Sequence, residues 1–142
     1  MAHIALLPDG APFFVSVVTL GEIFFGHRTT KTPDLAKQAA LEQFVQVQFP
    51  NPLGISRHTA AHYAELRRRL FWKYPPANAK HRHPEQCLDP ITATELGIDE
   101  NDLWIAAQAV EHNLILVTHD RMAQIRDVTS GLLDVEDWAL PV

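Results

Sequence analysis

The sequence predicts an α/β fold built on a parallel sheet, and two segments of the chain carry this prediction. Residues 97–120 begin as a polar turn, continue as an amphipathic helix and end in the short apolar run Leu114–Val117. Residues 13–26 begin with the apolar run Phe13–Val18 and continue as a helix. Apolar runs with β-branched residues, next to helices, are typical of buried strands in parallel sheets.

Composition limits the possible classes of protein. A chain of 142 residues with 46% hydrophobic and 20% charged residues predicts one globular domain, residues 1–142. The net charge of −5 argues against a generally basic surface for nucleic acid, although it allows a local basic patch. The single cysteine, Cys87, excludes an intrachain disulfide and a cysteine-based zinc finger. We expect a cytoplasmic protein, because the sequence shows no membrane-spanning run and no signal peptide.

The first third of the chain predicts helices around one strand. Residues 2–7 are typical of the last turns of a helix, and a turn follows at Pro8–Gly10. Phe13–Val18 is the first predicted strand. A helix is predicted to begin at Thr19, where Thr19 and Glu22 have the spacing of a capping box. Another helix is predicted over residues 33–49.

The middle of the chain predicts one long helix and one long irregular segment. Ser56 is the expected N-cap of a helix that reaches the prolines at 75 and 76. Residues 75–96 have no clear periodicity and predict a long loop. This loop contains His81, His83 and Cys87, a spacing that can bind a metal, but no second pair of ligands follows nearby and we favour surface histidines.

The last third predicts a helix, a buried strand, a short helix and an edge strand. Asp99 is the expected N-cap of the first helix, with Asp102 at its third position, and Asn113 is its expected end. Leu114–Val117 is the strand, and its apolar side chains predict burial on both faces. A short helix over residues 121–128 and a final edge strand over residues 132–135 follow.

Three acids occupy equivalent places in these elements. Glu22 and Asp102 lie in the first turns of helices, and Asp120 follows the end of a strand. Each has an ordinary structural explanation: a cap for Glu22, the helix dipole for Asp102 and a turn for Asp120. In an α/β domain, however, all three would meet at one edge of the sheet. Because like charges repel unless a cation neutralises them, the three acids together predict a site for a divalent metal ion.

One basic cluster stands out against the acidic average. Arg67, Arg68, Arg69 and Lys73 lie near the end of the helix that begins after Ser56, with aromatic residues among them. One interpretation is a patch that contacts the phosphates of a nucleic acid, with aromatic residues nearby. The other is a solvated helix end whose cations complement the helix dipole, and the sequence slightly favours this second interpretation.

Three segments together resemble a known family. They are FFVSVVTLGEIFFG, NDLWIAAQAVEHNLILVTHD and LLDVEDW, at residues 13–26, 101–120 and 132–138. In order, spacing and acids they are similar to the PIN-domain nucleases, in particular to the VapC toxins of bacterial toxin–antitoxin pairs. The resemblance implies a three-layer α/β/α sandwich around a central parallel sheet. It also implies a ribonuclease that depends on Mg²⁺ or Mn²⁺, and a partner antitoxin.

The resemblance also implies roles for individual residues. Glu22 matches the acid that follows the second strand of the family, Asp102 the acid at the start of the later helix, and Asp120 the acid after the next strand. Thr118 matches the small hydroxyl residue that often precedes that last acid. The Asp120 match is the weakest of the three, because this position varies within the family.

The sequence departs from the family at its beginning. Family members start with a strand that ends in a Leu-Asp-Thr-Asn type motif, whose Asp is a central metal ligand. This sequence has no such motif, and Asp9 lies in a Pro-Asp-Gly turn that does not match it. We therefore expect the first strand to be missing, through truncation, through degeneration with loss of catalysis, or because another chain supplies it. Exposed strand edges invite pairing with another chain, so we expect a homodimer.

Two alternatives to an active ribonuclease remain open. A catalytically inactive PIN-like domain would still bind an antitoxin or RNA, and weak or absent Mn²⁺ binding would favour it. An unrelated α/β hydrolase of the phosphatase type would act on small phosphate esters, but it needs a nucleophile that the sequence does not show.

Overall fold

A computed structural model describes residues 8–29 and 31–139 of the chain, with the backbone alone at His27. These residues belong to two compact units: the N-terminal unit, Pro8–Ile55, and the C-terminal unit, residues 56–139. The helix end predicted at residues 2–7 lies outside the described residues, and the single domain predicted for residues 1–142 stays a prediction. No helix in the described part of the chain combines the length and the apolar character that a membrane span requires.

The N-terminal unit is a pair of helices. Helix α1 is Val17–Arg28 and helix α2 is Leu35–Gln48, so the helix predicted over residues 33–49 is confirmed. Asp34 caps α2 by accepting a hydrogen bond from the backbone N–H of Lys37 at 3.0 Å, which satisfies one of the free amides at the helix start.

The strand predicted at Phe13–Val18 is wrong for most of its length. A single parallel bridge joins Ser16 to Leu53, and α1 already begins at Val17. The reason is local: the Ser16 hydroxyl accepts the backbone N–H of Val18 at 3.0 Å and caps the helix there. The cap predicted at Thr19 is therefore also wrong, and Glu22 lies in the second turn of α1 rather than in its first.

The C-terminal unit contains three helices and a parallel sheet. Its elements are α3 (Arg57–Lys73), a 3₁₀ turn (Pro84–Gln86), α4 (Glu100–His112), β1 (Ile115–Val117), α5 (Ala123–Thr129) and β2 (Asp134–Glu136). Strands β1 and β2 pair in parallel, with Ile115 opposite Asp134 and Val117 opposite Glu136. The predicted α/β class and the parallel sheet are thus confirmed.

The predicted N-caps of α3 and α4 and the predicted end of α4 are confirmed, whereas the short helix predicted over residues 121–128 begins two residues later, at Ala123. The Ser56 hydroxyl accepts the backbone N–H of Thr59 at 3.1 Å, and the Thr59 hydroxyl accepts the backbone N–H of Ser56 at 2.9 Å, which makes a full capping box on α3. Asp99 caps α4 by accepting the backbone N–H of Asn101 at 2.8 Å. Asn113 ends α4 in the left-handed conformation, with φ of 51°, which asparagine tolerates better than most residues.

The core of the C-terminal unit lies between α3, α4 and α5. Leu70 and Leu103 are completely buried, and Ile125 is 2% exposed. The prediction that β1 is buried on both faces is wrong, because Ile115 and Val117 are 55% and 43% exposed. Among the described residues β1 pairs with β2 alone, so its two outer side chains lack the cover that a wider sheet would give them.

The segment between α3 and α4 is more regular than the sequence suggested. Two antiparallel bridges cross it, between Pro76 and Cys87 and between Leu88 and Glu95. The Cys87 side chain is fully buried, and burial raises the pKa of its thiol. This segment leads directly into the start of α4 and so fixes one wall of the candidate site.

Candidate functional site

A cleft of about 370 Å³ in the C-terminal unit brings two of the three predicted acids together. Asp102, from the first turn of α4, and Asp120, which follows β1, both line it. The other lining residues are Leu96, Gly97, Ile98, Asp99, Arg121, Met122, Ala123, Gln124 and Ile125. Two segments distant in sequence therefore meet at the carboxyl end of β1, as expected for a ligand site in a parallel sheet.

The first turn of α4 is anchored to α3 by an aromatic and ionic cluster. The Tyr63 and Trp104 rings stack with centroids 3.7 Å apart and planes inclined by 5°. The Tyr63 hydroxyl donates a hydrogen bond to the Glu100 carboxylate, and Arg67 forms an ion pair with Glu100 at 3.0 Å. Burial, followed by the bond to Glu100, raises the pKa of Tyr63 to about 12. Because Glu100 begins α4, these contacts fix the turn that carries Asp102.

Asp120 is positioned by the residue two places before it. Thr118 continues the pairing of the strands, with its backbone N–H donating to the Glu136 carbonyl at 3.0 Å. The Thr118 hydroxyl then accepts the backbone N–H of Asp120 at 3.1 Å, a side-chain turn that bends the chain out of the strand. Met122 follows in the left-handed conformation, with φ of 44°, and α5 begins directly after it.

Glu22, the third predicted acid, lies on α1 in the N-terminal unit and is exposed. Among the described residues, no group of three or more His, Cys, Asp or Glu side chains is arranged to bind a metal ion. The site of Glu22, Asp102 and Asp120 as a set therefore stays a prediction. The metal site considered above at His81, His83 and Cys87 receives no support from the described residues either.

The chemistry of the cleft nevertheless fits a hard divalent cation. Both Asp102 and Asp120 offer carboxylate oxygens, the ligands that Mg²⁺ and Mn²⁺ prefer. Mg²⁺ commonly keeps several waters and takes only one or two carboxylates from the protein, with further oxygens from a phosphate substrate. Two carboxylates on one cleft are enough for such a site, and the cation would hold them where Asp102 and Asp120 already lie.

The predicted basic patch is engaged in ion pairs within the chain. Glu65 binds both Arg68 at 2.8 Å and Arg69 at 2.7 Å. The bonds from these two guanidinium groups hold the pKa of Glu65 at about 2. Arg67 binds Glu100, as described above, and Lys73 binds Asp127 at 2.5 Å. A role for Arg67, Arg68, Arg69 and Lys73 in RNA binding stays a prediction, since each of these cations already has an acidic partner.

One residue that lines the cleft was not predicted from the sequence as a site residue. Arg121 lines the cleft with the two acids, and it was treated only as the start of a short helix. The available signal was its position directly after Asp120, which places a cation at the same strand end.

Comparison with known proteins identifies the family. The PIN domain family model matches residues 1–128, so the match extends over both units. Ribonuclease VapC4 of Mycobacterium tuberculosis (strain ATCC 25618 / H37Rv) is 31% identical over 111 residues, which is 78% of this chain and 68% of that protein.

Two solved structures share the fold. VapBC-1 from nontypeable Haemophilus influenzae matches with a TM-score of 0.69 and 19% identity, over 98% of this chain and 84% of that chain. VapBC2 from Rickettsia felis, bound to a DNA fragment from its promoter, matches with a TM-score of 0.66 and 21% identity, over 96% and 83% of the two chains. At these identities the structures show likeness of fold alone. The family match and the identity to VapC4 establish that this chain belongs to the PIN domain family as a VapC-like member.

Proposed function

We propose that the protein is a divalent-metal-dependent endoribonuclease that hydrolyses RNA phosphodiesters as the toxin of a toxin–antitoxin pair. The observation that carries the proposal is the cleft that brings Asp102 and Asp120 together in a chain of the PIN domain family. The similarity to a VapC ribonuclease supports RNA as the substrate. Because that substrate is RNA, we expect the protein to act in the cytoplasm.

The residues of the cleft suit this chemistry. Asp102 and Asp120 would hold Mg²⁺ or Mn²⁺ through their carboxylate oxygens. When bound, such an ion supplies Lewis acidity to the phosphodiester and makes a water molecule more acidic. The helix dipole of α4 stabilises the charge of Asp102, and the Thr118 hydroxyl holds Asp120 at the strand end. Because neither acid contacts an RNA nucleobase in this scheme, the two acids account for hydrolysis. Sequence specificity would come from other surfaces of the protein.

Two protein partners belong to the proposal. The likeness to VapBC structures supports a cognate antitoxin as one of them. A second copy of the chain is the other, and the exposed apolar side chains of the N-terminal unit support it. Phe25, Phe44 and Val47 are 70%, 55% and 66% exposed, and concentrated apolar surface of this kind is typical of interaction sites.

The test combines metal binding with RNA cleavage. Calorimetric titration with Mn²⁺ and cleavage of a single-stranded RNA would be measured for the parent chain, Asp102→Asn and Asp120→Asn. The matched control is Asp134→Asn, which removes the same charge from an exposed residue of β2 that does not line the cleft. We expect each cleft variant to lose Mn²⁺ binding and to cleave RNA about 100-fold more slowly or worse, since transition-state charge loses its stabilisation. The control should behave like the parent.

Two outcomes would contradict the proposal in different ways. Cleavage that persists in Asp102→Asn would show that this carboxylate is not the central ligand. Absence of Mn²⁺ binding and cleavage in the parent would favour a PIN-like domain that binds RNA or an antitoxin without catalysis. Glu22→Gln, measured in the same series, tests whether the third predicted acid acts with the other two.

A further inference from the structure

The acidic character of the cleft creates a problem for RNA binding. The phosphates of RNA are anions, and Asp102 and Asp120 present two further negative charges to the same space. A metal ion relieves this repulsion at the ion itself, but neighbouring phosphates of the strand gain little from it. A cationic side chain beside the two acids would therefore improve RNA binding.

Arg121 is such a side chain. It is exposed and lines the cleft together with Asp102 and Asp120. In residues 8–29 and 31–139, no carboxylate lies within ion-pair distance of its guanidinium. Among the described residues, a phosphate that approaches Arg121 would therefore displace no acidic partner, whereas Arg68, Arg69 and Lys73 would have to break existing ion pairs.

The backbone holds Arg121 at this place. Before it, the hydrogen bond from the Asp120 N–H to the Thr118 hydroxyl fixes the turn out of β1. After it, the Met122 carbonyl accepts the first backbone bond of α5, from Arg126 at 2.9 Å. Arg121 thus lies between two fixed points, and only the side chain itself remains to be ordered when a ligand binds.

We propose that Arg121 binds a phosphate of single-stranded RNA in the cleft, next to the phosphate that is cleaved. This inference rests on the proposed ribonuclease function and names a residue that holds its substrate. The guanidinium is suited to the task because its planar fork donates two parallel hydrogen bonds to phosphate oxygens. Since the contact is with the backbone of the strand, it adds affinity for any base sequence and does not choose among them.

The test is RNA binding as a function of salt. A fluorescently labelled single-stranded RNA would be titrated with parent, Arg121→Gln and Arg126→Gln in a buffer with Ca²⁺, which neutralises the carboxylates. Arg126→Gln is the matched control, since Arg126 is an exposed cation five residues later that does not line the cleft. RNA cleavage with Mn²⁺ would be measured in parallel, and melting temperatures would confirm that all three proteins are folded.

We expect Arg121→Gln to raise the Kd for RNA about tenfold to 100-fold, as the loss of one charge-assisted contact implies. Its slope of log Kd against log salt should fall by about 0.7, the value for one phosphate of a single strand. Arg121→Lys should recover part of the affinity, because the charge remains while the fork is lost. Arg126→Gln should match the parent in both quantities.

The contrary outcomes separate this inference from the proposed function. A parent that binds and cleaves RNA, with Arg121→Gln unchanged in Kd and slope, would overturn the role of Arg121 and leave the ribonuclease intact. Equal losses in Arg121→Gln and Arg126→Gln would reveal a general charge effect and overturn the role as well. A parent that neither binds nor cleaves RNA would overturn both.

Discussion

The two units of the chain differ in how far their apolar side chains are buried. In the C-terminal unit, Leu70 and Leu103 are completely buried between the helices. In the N-terminal unit, Leu35 and Phe25 are 73% and 70% exposed, and Val45 is its one buried apolar residue among those described. The unit that carries the acidic cleft therefore has its own core, whereas the N-terminal unit presents apolar surface that suits a partner protein.

The largest effect on stability is expected when one leucine is replaced in each unit and the two variants are compared. Leu70→Ala leaves a cavity in the core and should lower the free energy of unfolding by about 2–5 kcal/mol. Leu35→Ala shortens an exposed side chain and should change it by less than about 0.5 kcal/mol. Urea unfolding of both variants at low protein concentration measures the difference. Equal losses would mean that Leu35 is buried in solution, and the contrast between the units would fail.

The same contrast explains which parts of the fold could be predicted. The bounds of α4 followed from the sequence because its signals are local: Asp99 caps it and Asn113 ends it. The prediction of the first strand was wrong because Ser16 caps a helix, so that the β-branched residues after it are helical. The bridge from Ser16 to Leu53 joins residues far apart in sequence, so a local sequence pattern does not predict this pairing.

The candidate site was predictable to a similar degree. The rule that ligands bind at the carboxyl ends of parallel strands was enough to pair Asp102 with Asp120. The ion pairs of the basic cluster were only partly foreseeable. Glu65 lies within one helical turn of Arg68 and Arg69 and could have been found by spacing. The Glu100 partner of Arg67 comes from another helix, and only the tertiary fold brings it near.

An intermediate effect is expected at the junction of α3 and α4. The completely buried Thr59 hydroxyl donates to the Glu111 carboxylate, and the Ser56 hydroxyl donates to it at 2.8 Å. The bond from Thr59, followed by that from Ser56, holds the pKa of Glu111 below its usual range. Thr59→Val should therefore lower the free energy of unfolding at pH 7, because it removes the bond to the charged carboxylate and also the acceptor of the Ser56 backbone N–H.

The pH dependence of this loss identifies its cause. A carboxyl whose pKa is lowered by folding stabilises the protein above its unfolded pKa, and that contribution disappears as pH falls through the folded pKa. The penalty of Thr59→Val should accordingly shrink as pH falls below about 4.3, the unperturbed value for Glu. The matched control is Thr129→Val, because the buried Thr129 hydroxyl donates to the Arg126 carbonyl at 2.8 Å and involves no titrating group. Parallel pH profiles for the two variants would exclude Glu111 as the source.

The smallest effect on stability is expected from substitutions on the exposed apolar surface of the N-terminal unit. The same substitutions test whether this surface binds a partner. The double variant Phe25→Ser with Phe44→Ser removes two exposed aromatic side chains from α1 and α2. Because neither side chain belongs to the core cluster, the free energy of unfolding of the monomer should change by less than about 0.5 kcal/mol per substitution. Self-association should weaken strongly, since apolar area that leaves water on binding is the main driving force of such contacts.

Sedimentation velocity over a range of protein concentrations separates these two effects. The control is Trp72→Ser, which removes an aromatic side chain that is 81% exposed but belongs to α3 of the C-terminal unit. If the parent and Trp72→Ser form dimers and the double variant remains monomeric, the N-terminal unit carries the contact between copies. If all three proteins dimerise equally, exposure of Phe25 and Phe44 has another cause, and the surface would instead be tested for binding of the antitoxin.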